Sequence, residues 1–246
     1  MLQLIAMDLD GTLADYNASI LPETVQLLQQ LQGEGIKLVF ATGKAICHLA
    51  GLVRQSGLEN VILVGDNGGV IHFNHHYPPK NPRVLEMTNA AAAEMETIRK
   101  ALLAEFGEKI WIQPNQVTLS LFGRSIDIAK AYEFCDRIFE REKIKHLKSF
   151  KTAGALDIIP RNIDKGVALK LIQQELQIPM EHTAVIGDGS NDVPMFLQGK
   201  LRQTFPKSAE IFMQFVPKIV KDINTALKFL LELSQFEKNM NFSDLV

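Results

Sequence analysis

Residues 2–13 read Leu-Gln-Leu-Ile-Ala-Met-Asp-Leu-Asp-Gly-Thr-Leu: an apolar run that ends abruptly in two carboxylates, Asp8 and Asp10, and then Gly11. Side chains of an extended segment alternate with a period of two, so both carboxylates fall on one side and converge just past the strand's carboxyl end. Two carboxylates that close repel each other. A hard divalent cation with oxygen ligands, magnesium above all, offsets that repulsion and holds both side chains in one geometry. Gly11 lets the chain turn away at once, and Thr12 can satisfy loop amides. Taken alone, Asp8 and Asp10 read as ordinary turn residues after a strand. Three further signals at the same predicted sheet edge give them weight.

Working outward, Pro22 and Glu23 open a segment with Val25, Leu27, Leu28 and Leu31 at helical spacing, stopped by Gly33 and Gly35. Residues 36–41, Ile-Lys-Leu-Val-Phe-Ala, form the near-continuous apolar run of a strand buried on both faces. Strand, helix and strand make a βαβ unit, so Thr42-Gly43-Lys44 should emerge at the same edge as Asp8. A helix over 45–55, a strand over 60–64 and an Asn67-Gly68 turn into a strand over 70–73 follow. After a Pro-rich connector at 77–83 the rhythm changes to helices over 88–106 and 126–142, each followed by two short strands. This αββαββ pattern is a small α+β unit with helices on one face of its sheet. Asp164-Lys165-Gly166 then open a helix over 167–176, and a strand over 183–186 runs into Gly-Asp-Gly-Ser-Asn-Asp at 187–192. Two short β-like runs and a helix over 222–236 complete the chain, with a polar, frayed last ten residues expected. The predicted fold is therefore α/β, a doubly wound, Rossmann-like parallel-sheet core from residues 1–82 and 161–246, with residues 83–160 inserted as a small α+β domain.

The 246 residues are 46% hydrophobic, enough for a substantial core, and 26 basic against 28 acidic residues leave a formal charge of −2. No basic excess recruits nucleic acid or an anionic membrane surface, and no segment approaches the ~20 apolar residues of a membrane span. Cys47 and Cys135 lack the spacing of a metal site or a disulfide framework. A cytoplasmic protein, monomeric or homodimeric, is the expectation.

Four polar clusters, Asp8/Asp10, Thr42, Lys165 and Asp188/Asp192, thus fall at strand ends or a helix start, where open α/β sheets bind their ligands. Carboxylates suit magnesium, and a hydroxyl with a lysine suits the oxygens of a phosphoryl group beside it. A cation at the start of a helix opposes the helix dipole, so Lys165 is placed there at a cost. His72, His75 and His76 read as a solvated hairpin edge rather than a metal cluster. Asp66 reads as a turn residue, and Trp111, Phe122 and Arg124 as core and rim of the insert.

Asp8-Leu9-Asp10-Gly11-Thr12-Leu13, Thr42-Gly43, Lys165-Gly166 and the 187–192 loop resemble, in order, the four motifs of the haloacid dehalogenase superfamily. The insert between the second and third motifs, with Asp66-Asn67-Gly68-Gly69, is similar to the Cof-like phosphatases with an α+β cap. The resemblance implies magnesium-dependent hydrolysis of a small phosphorylated metabolite, a sugar phosphate or phosphoglycolate-like acid. Asp8 would be the nucleophile that forms an aspartyl-phosphate, and Asp10 the acid and then the base. Thr42 and the Gly43 amide would bind phosphate oxygens with Asn191, while Lys165 neutralises charge on the transferred group. Asp8, the Asp10 carbonyl and Asp188 would hold the metal, with Asp192 orienting the metal's surroundings. Asp10 argues for phosphate-ester hydrolysis and against dehalogenation. A phosphomutase, or a non-catalytic phospholigand-binding protein of the same fold, is the alternative. The sequence departs from the pattern at Lys44, where many relatives carry Arg, and at 201–207, where Leu-Arg-Gln-Thr-Phe-Pro-Lys replaces the usual glycine- and alanine-rich stretch.

Overall fold

The computed structural model describes the chain except residues 17, 74–77, 152–153 and 244–246, with side chains as far as residue 240. In chain order the elements begin with β1 (Leu4–Asp8), α1 (Pro22–Gly33), β2 (Lys37–Ala41), α2 (Ile46–Ser56), β3 (Ile62–Gly65), β4 (Val70–His72) and β5 (Arg83–Val84). They continue with α3 (Asn89–Phe106), β6 (Ile110–Ile112), β7 (Leu119–Gly123), α4 (Ser125–Arg141), β8 (Leu147–Lys151) and β9 (Ala155–Pro160). The remainder is α5 (Lys165–Leu176), β10 (Thr183–Ile186), α6 (Val193–Phe196), β11 (Leu201–Thr204), α7 (Ala209–Phe212), β12 (Lys218–Ile219) and α8 (Ile223–Ser243).

The larger sheet has eight strands in the order β12-β11-β10-β1-β2-β3-β4-β5. It is parallel from β12 to β3, and β4 and β5 add an antiparallel edge. All five residues of β1 are buried, as a strand covered by helices on both faces requires. Ile5 and Met7 pack with Leu28 and Leu31 of α1, Leu49 and Val53 of α2, and Leu227 and Leu230 of α8. Leu4 and Ala6 pack the other way, with Leu169 and Ile172 of α5 and Met195 and Phe196 of α6. By the same alternation the side chain of Asp8 turns to the α5 face. The helix that faces it begins with Lys165, and Asp164 caps that helix by accepting from the backbone N–H groups of Gly166 (3.1 Å) and Val167 (3.0 Å).

Residues between β5 and α5 build the second sheet, four antiparallel strands in the order β6-β7-β9-β8. Helices α3 and α4 cover it, with Ile98, Leu102, Ile128, Cys135 and Ile138 packed against Leu119, Leu121, Leu156 and Ile158. Arg83, read from sequence as the end of the connector, and Val84, read as part of the insert, form β5 and pair with β4 in the larger sheet.

Two local expectations need correction. The last helix, read to about residue 236, runs on to Ser243, because polar side chains tie α8 down: Glu237 accepts from the Leu2 N–H (2.8 Å) and Lys238 donates to the Glu34 carbonyl (2.9 Å), while residues 244–246, also expected to fray, lie outside the described residues. His72 is buried, not solvated, since β5 covers its strand, and its Nε2 bonds with the Lys80 carbonyl at 3.0 Å. His75 and His76 lie outside the described residues.

Candidate active site

Strand register gathers the polar clusters. Asp8 pairs with Ala41, so Thr42 follows beside it, and Met7 pairs with Ile186, so Gly187 and Asp188 continue past the same edge. Lys165 is completely buried between two of the acids: its Nζ donates to Asp8 Oδ1 at 2.5 Å and to Asp192 Oδ1 at 2.7 Å. Burial alone lowers a lysine pKa, but the carboxylates of Asp192 and Asp8 outweigh it and hold Lys165 above the ordinary value. Asp192 shapes the loop as well, because its Oδ2 accepts from the backbone N–H groups of Asp188 and Gly189, both at 3.0 Å. Thr12 donates to Asp188 Oδ1 (3.0 Å), and Lys207, from the divergent 201–207 stretch, lies 3.7 Å from Asp188 Oδ2. Gly11 sits at φ +85°, and a Cβ there would run into the Asp188 carboxylate.

One carboxylate oxygen each from Asp8, Asp188 and Asp192 lies within 4.8 Å of the others. Asp8 is held well above the usual carboxylate range, first by burial and then by the Asp192 charge, which Lys165 only partly offsets. Asp188 is raised for the same leading reasons, burial and Asp192. Three converging acids around one buried ammonium leave an excess of negative charge. That excess and an all-oxygen donor set fit a hard divalent cation.

The carboxylate of Asp10 is not part of this cluster; it pairs with Lys44 Nζ. Strand β1 ends at Asp8, and Asp10 forms an isolated bridge with Ala14, so the alternation that governs Asp8 no longer applies two residues later. Thr42 is buried and accepts from the Lys44 N–H at 3.2 Å. The Asn191 side chain donates to Asn67 Oδ1 at 3.2 Å.

A cavity of about 520 Å³ opens over these groups. The larger sheet's side contributes Asp8, Asp10, Thr42, Gly43, Lys44, Asp188 and Asn191, and the insert contributes Phe122, Phe150, Lys151 and Asp157. Asp157 escaped the sequence reading, although a carboxylate inside the apolar strand Ala155–Pro160 signals a buried charge in need of partners. It accepts from Asn67 Nδ2 at 3.0 Å, and burial raises its pKa while Ser120 and Asn67 hold it down. Tyr16 also lines the cavity with about half its surface exposed, and its partial burial followed by the Asp188 charge pushes its phenol up to about 12. Asp66 does more than make a turn. Its Oδ2 accepts from the backbone N–H groups of Gln116 (2.6 Å) and Val117 (2.9 Å) in the insert. Burial lifts its pKa to about 6 against the pull of those amides.

An open parallel sheet with this acidic edge and an α+β insertion is the architecture of the haloacid dehalogenase superfamily. A solved structure of a haloacid dehalogenase-like hydrolase from Bacteroides thetaiotaomicron, 17% identical in sequence, has a TM-score of 0.72 over 94% of this chain and 99% of that one. Residues 1–204 match the model of the sucrose-6F-phosphate phosphohydrolase family, and the chain belongs to that family of phosphatases. Among curated relatives, the phosphoglycolate phosphatase of Thermoplasma volcanium is 27% identical over 196 residues, covering 80% of this chain and 81% of that protein. The phosphatase YwpJ of Bacillus subtilis is 26% identical, over 79% of this chain and 86% of its own. No helix among the described residues is long and apolar enough to cross a membrane.

Proposed function

We propose that this phosphatase hydrolyses a small phosphorylated metabolite, a sugar phosphate or phosphoglycolate-like acid, through an aspartyl-phosphate on Asp8 with magnesium bound. The observation that carries the reading is the Lys165 ammonium held between Asp8 and Asp192, with Asp188 in reach. Lys165 occupies Asp8 Oδ1 and leaves Oδ2 to attack phosphorus. As the phosphorus–oxygen bond of the ester breaks, Asp10, protonated once substrate draws it away from the Lys44 ion pair, gives its proton to the departing oxygen. Asp10 then takes a proton from water, whose oxygen attacks the same phosphorus and releases inorganic phosphate and free Asp8. Thr42, the Gly43 amide and Asn191 bind the phosphoryl oxygens, and Lys165 neutralises their growing charge. Asp8, the Asp10 carbonyl and Asp188 are the residues that would hold magnesium; when bound it supplies positive charge that keeps Asp8 ionised and polarises the phosphoryl group. The insert, the residues after β5 and up to 160, serves as the lid: Phe122, Phe150, Lys151 and Asp157 meet the leaving group and limit water.

A phosphate-release screen over a metabolite panel, with and without magnesium, on the wild type and Asp8→Asn tests this. Expected is metal-dependent release that the substitution abolishes. Equal release from both proteins would mean the nucleophile is wrongly assigned.

A further inference from the structure

Asn67 touches three segments at once. It lies in the left-handed region at φ +50° and is buried, between β3 and β4. Its backbone N–H donates to the Thr42 carbonyl at 3.0 Å, so it supports the loop read above as a phosphate site. Its side-chain Nδ2 donates to Asp157 Oδ2 of the insert at 3.0 Å, and its Oδ1 accepts from Asn191 Nδ2 at 3.2 Å. A carboxamide is a polarised unit: with Nδ2 committed to a carboxylate acceptor, Oδ1 must present itself as an acceptor on the other side. An ionised carboxylate can only accept, so Asp157 dictates which way the Asn67 amide points. Asn67 in turn dictates that Asn191 offers its NH2 group. Gly43 packs onto the same junction, where a Cβ would lie 2.9 Å from Asn67 Nδ2 and 3.0 Å from Asp157 Oδ2.

We propose that Asn67 is a positioning residue: it relays the seating of the insert, read through Asp157, to Asn191 and so sets the phosphate-binding geometry. This rests on the phosphatase reading above. The relay makes the insert part of the phosphate site as well as a lid, because an insert that swings away removes Asp157 and releases both amides. Removing a single constraint of this kind is expected to weaken phosphate binding about tenfold.

The test reads inhibition of acetyl phosphate hydrolysis by inorganic phosphate, with thermal melting as a control for folding. Asp157→Ala separates the relay from simple electrostatics, because deleting a carboxylate beside an anion site by charge alone tightens phosphate binding. Expected is the opposite, an inhibition constant about tenfold higher. Asn67→Asp should weaken phosphate binding as well, and left-handed backbone tolerates Asp as it does Asn. The exchange Asn67→Asp with Asp157→Asn restores the wild-type charge and reverses donor and acceptor, so it should return the constant to near the wild-type value. Asn67→Gly with Asp157→Asn should not. Unchanged or tighter phosphate inhibition in Asp157→Ala, or an exchange no better than Asn67→Asp alone, overturns the relay while leaving the phosphatase intact. A wild type that releases no phosphate from acetyl phosphate in magnesium sinks both.

Discussion

Replacing Lys165 by methionine keeps most of the side-chain volume and deletes one charge. The ammonium lies 2.5 Å from Asp8 Oδ1 and 2.7 Å from Asp192 Oδ1, and the side chain has no exposed surface. At an effective dielectric constant of about 20, each contact carries roughly 6 kcal/mol of raw attraction. Desolvation of three charged groups offsets much of it, and breaking a buried pair by removing one partner costs about 3–5 kcal/mol. For a chain of this size that corresponds to a fall in melting temperature of roughly 10 °C. The sign with pH is fixed by Asp8, whose carboxyl is already held above its ordinary value and rises further without the lysine. A carboxyl raised in the folded state contributes stability at low pH that is lost as pH rises. The deficit of Lys165→Met should therefore be largest near pH 8 and shrink toward pH 5, as measured by denaturant unfolding at both pH values without added metal. A variant as stable as the wild type at pH 8, or a deficit that grows on acidification, would refute the reasoning.

Asp66 titrates at about 6 in the folded protein, above the ordinary carboxylate value of about 3.9, so its contribution is lost as pH rises through 6. The rise to about 6 sets an upper limit of about 3 kcal/mol, part of which the weaker acceptor of an amide takes back. Asp66→Asn should gain about 1–2 kcal/mol over the wild type at pH 8 and nothing below pH 4; chemical unfolding across that range checks it, and a loss at pH 8 is the contrary result. Gly11→Ala places a Cβ at φ +85° against the Asp188 carboxylate. Expected is a loss of about 1–3 kcal/mol in stability, and roughly a hundredfold in phosphate release from displacement of Asp188.

The parallel core was legible because its strands are short, nearly pure apolar runs that end in polar residues. Residues 4–8, 37–41 and 183–186 each announce a buried strand and the edge at which it stops. That edge brought Asp8, Thr42, Lys165 and Asp188 into view together. The partnership of Asp10 with Lys44 was not legible, because alternation predicts side-chain direction only while the strand lasts. Asp157, Asn67 and Asp66 were hidden for a different reason. Their partners lie at Asn67, Asn191 and Gln116, up to 124 residues away, and local pattern carries no record of such pairings. The tail beyond Phe236 looked too polar to order, yet Glu237 and Lys238 hold it through single ion pairs and backbone contacts that hydropathy does not register.

The most direct measurement is to trap the phosphoryl group on the protein. Acetyl phosphate has a good leaving group and needs little acid assistance, so Asp10→Asn should still be phosphorylated but lack the base that hydrolyses the intermediate. Mixing this variant with phosphorus-labelled acetyl phosphate and magnesium, followed by acid quench and peptide mapping, should place a base-labile label on Asp8. Asp8→Asn should carry none. Label retained in Asp8→Asn, or phosphate released by the wild type with no protein-bound label in Asp10→Asn, would contradict nucleophilic catalysis by Asp8.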